Sequence, residues 1–319
     1  MTNDVIRITH LCHRENFGHL KTGFVEPSEF SALKTKFKKN MNTFSFDKKI
    51  IKKSFSKAAS TYDAHSTLQK TAAKDLLKLI NKINILPINS EPYFALDVGC
   101  GTGTLSFFFE NVYPHASLFG CDFSLPMLFK AKEKDRDRST RFLTSDCDEL
   151  PFKEHLFDSV FSNLTYQWVP DIDRSFQEVW RVLKPGGLFL FSILGPRTLE
   201  ELQTSYNKTG DAAENNERVL LMEFHDMENL SRNLKKTGFE ILAMESRVKN
   251  KNYNNLWDLL RTLKATGASP PFHNGNKSLA RGFFLKETAK TYQKNFPAPN
   301  GAGIMATYDI IYAAAKKSA

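Results

Sequence analysis

Nowhere along the 319 residues does an apolar run approach the ~18 consecutive residues needed to cross a bilayer. The amino-terminal segment carries charges where a secretory signal places its apolar stretch. These two absences argue against a helical membrane protein and set the expectation of a cytoplasmic one. Cysteine is sparse. Cys12, Cys100, Cys121 and Cys147 show neither the paired spacing of a metal site nor a secreted disulfide framework, and they read as small apolar liners. No metal is expected. Internal repeats and low-complexity tracts are also missing. Tryptophan is scarce, at three, but 27 phenylalanines in a chain that is 41% hydrophobic supply ample core. The 44 basic residues outnumber the 35 acidic ones, which permits an acidic partner without naming one. One dense patch, Lys34, Lys36, Lys38 and Lys39 and then Lys48, Lys49, Lys52, Lys53 and Lys57, reads as a solvated tail and helix face in preference to a nucleic-acid surface.

What the chain does contain is concentrated in Phe94-Ala95-Leu96-Asp97-Val98-Gly99-Cys100-Gly101-Thr102-Gly103-Thr104: an apolar run, an acid, alternate glycines, then the start of a helix. This is the pattern of a strand feeding a nucleotide-binding turn. Gly99, Gly101 and Gly103 let the backbone turn tightly and approach a ligand, and Asp97 can accept from a cationic or hydroxyl group. A second apolar strand, Leu118-Phe119-Gly120-Cys121, ends in Asp122, with Phe123 after it. That is roughly the 20-residue interval from which an acid reaches ribose hydroxyls. Two ligands fit, a dinucleotide and S-adenosyl-L-methionine. A diphosphate calls for Gly-x-Gly-x-x-Gly facing a helix N-terminus, and here the third glycine comes too early.

Apolar periodicity predicts helices at 45–60 and 65–85, then strands at 94–98, 117–121, 141–144, 157–163 and 187–194 alternating with helices at 103–111, 126–134 and 172–182. Helices at 197–207 and 226–236 follow, the second ended by Gly238, with strands at 239–248 and 304–315. The long segment 249–303 between those strands holds helical stretches at 256–266 and 286–295, and insertions of this length commonly cover active sites. The expected fold is α/β, a doubly wound, mostly parallel seven-stranded sheet with N-terminal helices and a helical cap inserted before the last strand. The expected divisions are a helical entrance at 41–92, a core at 93–248, a cap at 249–303 and a returning strand at 304–319. Polar insertions at 136–139 and 210–216 are expected loops. Residues 1–40 lack either period and end at a second methionine, Met41. They are expected to be an upstream extension, disordered or not native, since Asp4, Glu15, Glu26 and Glu29 disfavour a transit peptide.

The run Asp97-x-Gly99-x-Gly101-x-Gly103 after a strand resembles motif I of the class I methyltransferases, whose ligand S-adenosyl-L-methionine carries an amino acid, a ribose and an adenine but no phosphate. Ser145-Asp146-Cys147 with Leu150-Pro151-Phe152, Phe157 to Asn163, and Arg181 to Leu190 resemble later motifs of that family in order and spacing. A narrower likeness lies in Phe55-Ser56-Lys57-Ala58-Ala59-Ser60-Thr61-Tyr62-Asp63-Ala64-His65-Ser66-Thr67-Leu68-Gln69, which resembles the entrance helix of the malonyl-acyl carrier protein O-methyltransferases of biotin synthesis. Ser162 to Trp168, Phe191 to Leu202 and Leu260 to Ala268 are similar to that family too, so the likeness runs from about residue 46 to the end.

The resemblance implies methyl transfer to the free carboxylate of a malonyl thioester, on acyl carrier protein or coenzyme A. Such a reaction joins a sulfonium to a nucleophile already ionised at neutral pH, so no general base is needed. Alignment and water exclusion carry it, a proximity effect worth up to ~7–11 kcal/mol. A cation to hold the carboxylate is still required, and Arg261 on the cap helix is the candidate. Tyr62 and Trp168, with Tyr166 beside them, are aromatic candidates for the catalytic centre, because a ring face stabilises nearby positive charge; their plain alternative is core packing. Gln69 and His65 are expected at the cofactor's amino acid end. Asp146 ends the third strand, where this fold presents an acid to the adenine amine, with the Cys147 amide nearby. Asn163 ends the fourth, where open α/β sheets bind ligands.

Two other readings stay open. A nucleic-acid methyltransferase suits the basicity, but those acting on base amines usually show Asn/Asp-Pro-Pro-aromatic where this chain has Asn163-Leu164-Thr165-Tyr166. Non-methylating assembly factors of respiratory complexes resemble it in motif I and the Asn163 to Trp168 stretch, yet lack the Phe-x-x-Ala-Ala-x-x-Tyr run. The expected partner is malonyl-loaded acyl carrier protein or malonyl-CoA, with neither nucleic acid nor membrane, and a monomer is expected. Carriers are acidic, so a basic rim of Lys57, Arg261, Lys264 and Arg281 would steer association.

Overall fold

A computed structural model describes residues 47–83, 92–135, 140–212, 224–268, 279–299 and 301–318. Residues 1–40, the insertion at 136–139, residues 213–216 of the other insertion and the side chain of Arg281 lie outside what is described. Three helices lead in: α1 (Lys48–Ala58), α2 (Tyr62–His65) and α3 (Thr67–Ile83). The βα alternation then runs β1 (Phe94–Val98), α4 (Thr104–Val112), β2 (Ser117–Asp122), α5 (Leu125–Lys134), β3 (Arg141–Thr144), β4 (Phe157–Asn163), α6 (Ile172–Val182) and β5 (Leu183–Leu194). After it come α7 (Glu200–Ala212), α8 (Met227–Thr237), β6 (Phe239–Tyr253), α9 (Leu256–Ala265), α10 (Leu279–Asn295) and β7 (Ile304–Lys317).

The strands form one sheet in the order β3-β2-β1-β4-β5-β7-β6. Strands β1 to β5 pair in parallel, and β7 lies antiparallel between β5 and β6. The expected doubly wound sheet is therefore present. The chain winds outward from β1 to β3 and then returns to place β4 on the other side of β1. That reversal opens a crevice beyond the carboxyl ends of β1 and β4.

Strand alternation divides the core. Leu96, Val160, Phe189 and Phe191 face one side, against Phe176 and Val179 of α6 and Leu230 and Leu234 of α8. Ala95, Phe161, Leu190 and Tyr312 face the other, against Leu76 and Ile80 of α3 and Phe109 of α4. A third cluster joins Leu202 of α7, Leu259 and Leu263 of α9, Tyr292 of α10 and Ile304 and Tyr308 of β7. Among the described residues no helix is long and apolar enough to cross a membrane.

Local chemistry sets the helix ends. Asp47, Asp171, Asp226 and Asn255 cap α1, α6, α8 and α9 through side-chain acceptors, and Gly238 closes α8. Several bounds differ from expectation. Helix 65–85 is broken at Ser66, leaving the single turn α2. Helix α7 runs on to Ala212, and α10 begins at Leu279 rather than 286. Strand β6 extends to Tyr253 because Arg247, Lys249 and Lys251 alternate with exposed Val248, Asn250 and Asn252 along a sheet edge, a polar period-2 pattern that apolar periodicity does not register.

Candidate active site

The backbone turns immediately after β1, with φ of +70° at Gly99 and +54° at Gly101, the left-handed region that glycine adopts freely. The amides of Gly99 and Cys100 both donate to the Cys121 carbonyl, at 2.8 and 2.9 Å, and so fix the turn against β2. A Cβ on Gly99 would overlap Thr165, whereas a Cβ on Gly101 would meet nothing within 4 Å. The open side of the turn is therefore over Gly101.

Two carboxylates flank it. Asp97 is 1% exposed; its Oδ2 accepts from Ser106 Oγ at 2.5 Å, while its buried Oδ1 has no partner among the described residues. Burial pushes this carboxyl up to about 7 against the lowering pull of the Ser106 hydrogen bonds. Asp122 accepts from Gly101 N at 3.0 Å and Ser124 N at 2.7 Å, and burial still pushes it up to about 6.

Beyond the strand ends lies a cleft of about 700 Å³, partly open to solvent. Val98, Gly99, Gly101, Cys121, Asp122 and Phe123 form its floor; Ser145, Asp146 and Cys147 one wall; Asn163, Leu164, Thr165, Trp168 and Val169 the other. Lys48, Phe55 and Tyr62 of the leading helices form the roof. The Phe55 ring stands edge-on to Trp168, with centroids 5.4 Å apart, and lies 6.3 Å from Phe123. Burial, together with Asp122 and Asp63, raises the Tyr62 phenol pKa, so the hydroxyl stays neutral, and it has no hydrogen-bond partner among the described residues.

The roof is tied down on all sides. Lys48 Nζ contacts Asp146 Oδ2 at 2.8 Å and also pairs with Asp148. Burial alone would raise Asp146, but Lys48 holds it below the usual carboxylate range. Thr102 Oγ1 donates to Asp63 Oδ1 at 2.6 Å, and Ser56 Oγ lies 3.0 Å from Ser124 Oγ. On the cap side, Ser54 donates to the Gly267 carbonyl at 3.0 Å and Thr61 to that of Ala265 at 2.9 Å.

Of the residues expected from sequence, Tyr62, Gly99, Gly101, Asp122, Phe123, Asp146, Cys147, Asn163 and Trp168 line the cleft. Asp97, Gly103, Gln69 and Arg261 do not. Asp97 lies beneath the turn, and Gly103 caps α4 against Phe107 and Ala131. Gln69 uses its carbonyl to accept from Asn163 Nδ2 at 3.1 Å, and Asn163 Oδ1 accepts from Ser192 at 2.8 Å, so that amide ties α3 to β5. Arg261 is 73% exposed and bonded to Asp258 one turn away at 2.5 Å, and it is not among the residues that line the cleft. His65 is exposed, 2.9 Å from the Thr61 carbonyl. Tyr166 is fully buried, edge-on to Phe176, Phe189 and Phe191, so packing is its role. Lining residues that sequence reasoning did not assign include Lys48, Phe55, Met127, Ser145 and Thr165.

The donor set suits a ligand with cationic, diol and amine groups. Asp97 offers an unpartnered oxygen beneath the turn, Gly101 leaves room for close approach, and Asp122 and Asp146 present carboxylates at successive strand ends. S-adenosyl-L-methionine has those groups.

Residues 96–191 match the family model described as a methyltransferase domain. The malonyl-[acyl-carrier protein] O-methyltransferase of Gallionella capsiferriformans is 31% identical, across 88% of this chain and 94% of that protein. Malonyl-[acyl-carrier protein] O-methyltransferase 1 of Coxiella burnetii is 32% identical, across 84% and 88%. The biotin biosynthesis bifunctional protein BioHC of Cellvibrio japonicus is 30% identical, across 83% of this chain and 49% of that one. Among solved structures, the YcgJ protein of Bacillus subtilis superposes with a TM-score of 0.54 at 16% identity, over 76% of this chain and 98% of its own, a likeness of fold alone.

Proposed function

Because the chain belongs to the malonyl-[acyl-carrier protein] O-methyltransferase family, we propose that it methylates the free carboxylate of malonyl-acyl carrier protein, the entry to pimeloyl assembly for biotin. Bound S-adenosyl-L-methionine supplies an electrophilic methyl on a sulfonium. Asp122 would hold the ribose hydroxyls and Asp146 with the Cys147 amide the adenine, Lys48 yielding its place on Asp146, while Asp97, buried beneath the turn, would set negative charge under the ammonium without lining the cleft.

The observation that carries this reading is the cleft itself. Phe55 and Tyr62 of the roof, with Trp168 of the wall, close an aromatic cover over the strand ends that hold the acids. The aromatic faces exclude water and favour positive charge beside them. The acceptor carboxylate is already ionised, which agrees with a lining that contains no histidine among the described residues. Tyr62, neutral and without a hydrogen-bond partner among the described residues, would donate to that carboxylate. A hydrogen bond to a charged group contributes about 1.5–3 kcal/mol. Arg261 is given no part in this step, since its guanidinium lies on Asp258 outside the cleft.

The test is transfer of label from methyl-labelled S-adenosyl-L-methionine to malonyl-acyl carrier protein, with unmalonylated carrier as control. Base-labile label on the malonyl form alone is the expected result. Tight cofactor binding without any transfer to that acceptor would refute the substrate assignment.

A further inference from the structure

Helix α1 holds five lysines and no acid in Lys48–Ala58. Its inner side is occupied: Ile51 and Ala58 are buried, Phe55 roofs the cleft and Lys48 sits on Asp146 and Asp148. The other four, Lys49, Lys52, Lys53 and Lys57, are exposed. None of the four forms an ion pair with a described residue. Other exposed lysines do have such partners, among them Lys130 with Glu133, Lys236 with Asp173 and Lys290 with Glu287. Lys49, Lys53 and Lys57 recur every four residues and so form one ridge. Like charges at that spacing destabilise a helix, and no ion pair with a described residue offsets them.

The ridge has an apolar flank. The Ser56–Ser124 contact sets the start of α5 beside it, and there Leu125 and Phe129 are 47% and 57% exposed. Charge and apolar surface thus adjoin on the outer side of the helix whose inner side roofs the cleft. The cap rim is a weaker candidate, because Arg261 is already paired with Asp258.

We propose that the Lys49-Lys53-Lys57 ridge, with Leu125 and Phe129, is the docking face for an acidic, partly apolar surface of the acyl carrier protein that brings the malonyl thioester. This rests on the function proposed above and names where its partner binds. Opposite charge on the carrier would steer encounter, and the apolar pair would hold the complex once formed.

The test compares the parent with two triple variants, Lys49→Glu/Lys53→Glu/Lys57→Glu and the same positions changed to Arg. Methyl transfer is read with malonyl-acyl carrier protein and with malonyl-pantetheine, which carries the same thioester without the carrier body. Binding of labelled holo-carrier is titrated separately, and cofactor titration verifies that each variant is folded. The expected result for the Glu variant is at least a tenfold loss of kcat/KM on carrier substrate, mostly in KM, with malonyl-pantetheine changed less than twofold. The Arg variant should behave as the parent. Equal losses on both substrates, or no loss on carrier substrate, overturn the proposal, as does an RNA oligomer that binds the ridge as tightly as the carrier. If the Glu variant does not fold, Phe129→Ser is read in the same way. If the parent methylates neither substrate, the functional reading fails, and the titration alone decides: carrier binding lost in the Glu variant supports the docking face, unchanged binding overturns it.

Discussion

Thr102, in the turn after β1, donates its hydroxyl to Asp63 of α2 at 2.6 Å, across 39 residues of sequence, and Lys134 of α5 pairs with the other Asp63 oxygen at 2.9 Å. The cofactor turn and the roof are therefore one bonded unit. Burial would raise Asp63, but Thr102 and Lys134 hold it below the usual range. Its contribution is present above the unfolded carboxylate value and is lost as pH falls through the lower folded one. Because the two charged partners are 36% and 38% exposed, Asp63→Ala should cost only about 1 kcal/mol of stability at pH 7. Hydrogen exchange across Tyr62–His65 should rise markedly in that variant, and unchanged protection would mean that the roof is held elsewhere.

Cofactor affinity should depend on pH. Asp97 and Asp122 hold protons up to about 7 and about 6 in the folded protein. A cationic ligand favours both as carboxylates, so affinity should fall by about tenfold or more from pH 7.5 to 5.5. Calorimetry in two buffers of different ionisation heat should detect proton release on binding near pH 6.5. The ligand-free protein has the opposite slope. Unfolded Asp97 ionises near 3.8 while the folded form keeps its proton to about 7, so stability declines as pH rises across that window. Asp97→Asn should flatten this decline in thermal unfolding.

Two glycines two residues apart should fail differently. A methyl on Gly99 overlaps Thr165, which is bonded to the turn, so Gly99→Ala should destabilise the fold by about 2 kcal/mol or more. A methyl on Gly101 meets only open cleft, so Gly101→Ala should incur the smaller left-handed backbone cost of about 1–2 kcal/mol. Its main effect should be lost cofactor affinity. Melting temperatures and binding titrations of the pair separate the two, and similar affinity losses at equal stability would contradict this geometry.

Removing the roof's central ring tests the aromatic closure. Phe55 is half-buried among Trp168, Phe123 and Gly267. Phe55→Ala should cost about 1–3 kcal/mol, below the 3–5 of a fully buried phenylalanine. It should also shift Trp168 emission to longer wavelength as water reaches the indole.

At the acceptor end, Tyr62→Phe should lower kcat/KM for the malonyl substrate about tenfold or more and leave cofactor affinity within twofold, since the hydroxyl is assigned to the carboxylate. Arg261→Ala should change neither constant more than twofold. Steady-state kinetics of the two variants rank the candidates, and a large Arg261 effect would move the carboxylate site to the cap.

The floor of the cleft was legible in the sequence because strand-end rules are local. An apolar run, an acid and alternate glycines place Gly99, Gly101 and Asp122 without any knowledge of packing, and Asp146 and Asn163 follow from the same rule applied to β3 and β4. The roof was only half legible. Phe55 and Tyr62 belong to a run singled out for its likeness to a family, but which helix face turns inward is settled by docking. For that reason Lys48, read as one of a solvated series, instead neutralises Asp146 and Asp148. The same ambiguity placed Arg261 at the substrate when its face of α9 is solvated. Thr165 left a fainter signal, a small residue just after a strand-end asparagine, and its meaning appears only with Gly99 beneath it.

Strand β6 has one neighbour in the sheet, β7, and about 50 residues of chain separate the two. At synthesis rates of roughly 5–20 residues per second, a nascent β6 waits several seconds for its partner, with both edges bare. Arg247, Lys249 and Lys251 along that strand would then act as gatekeepers, discouraging annealing between neighbouring chains until β7 is made.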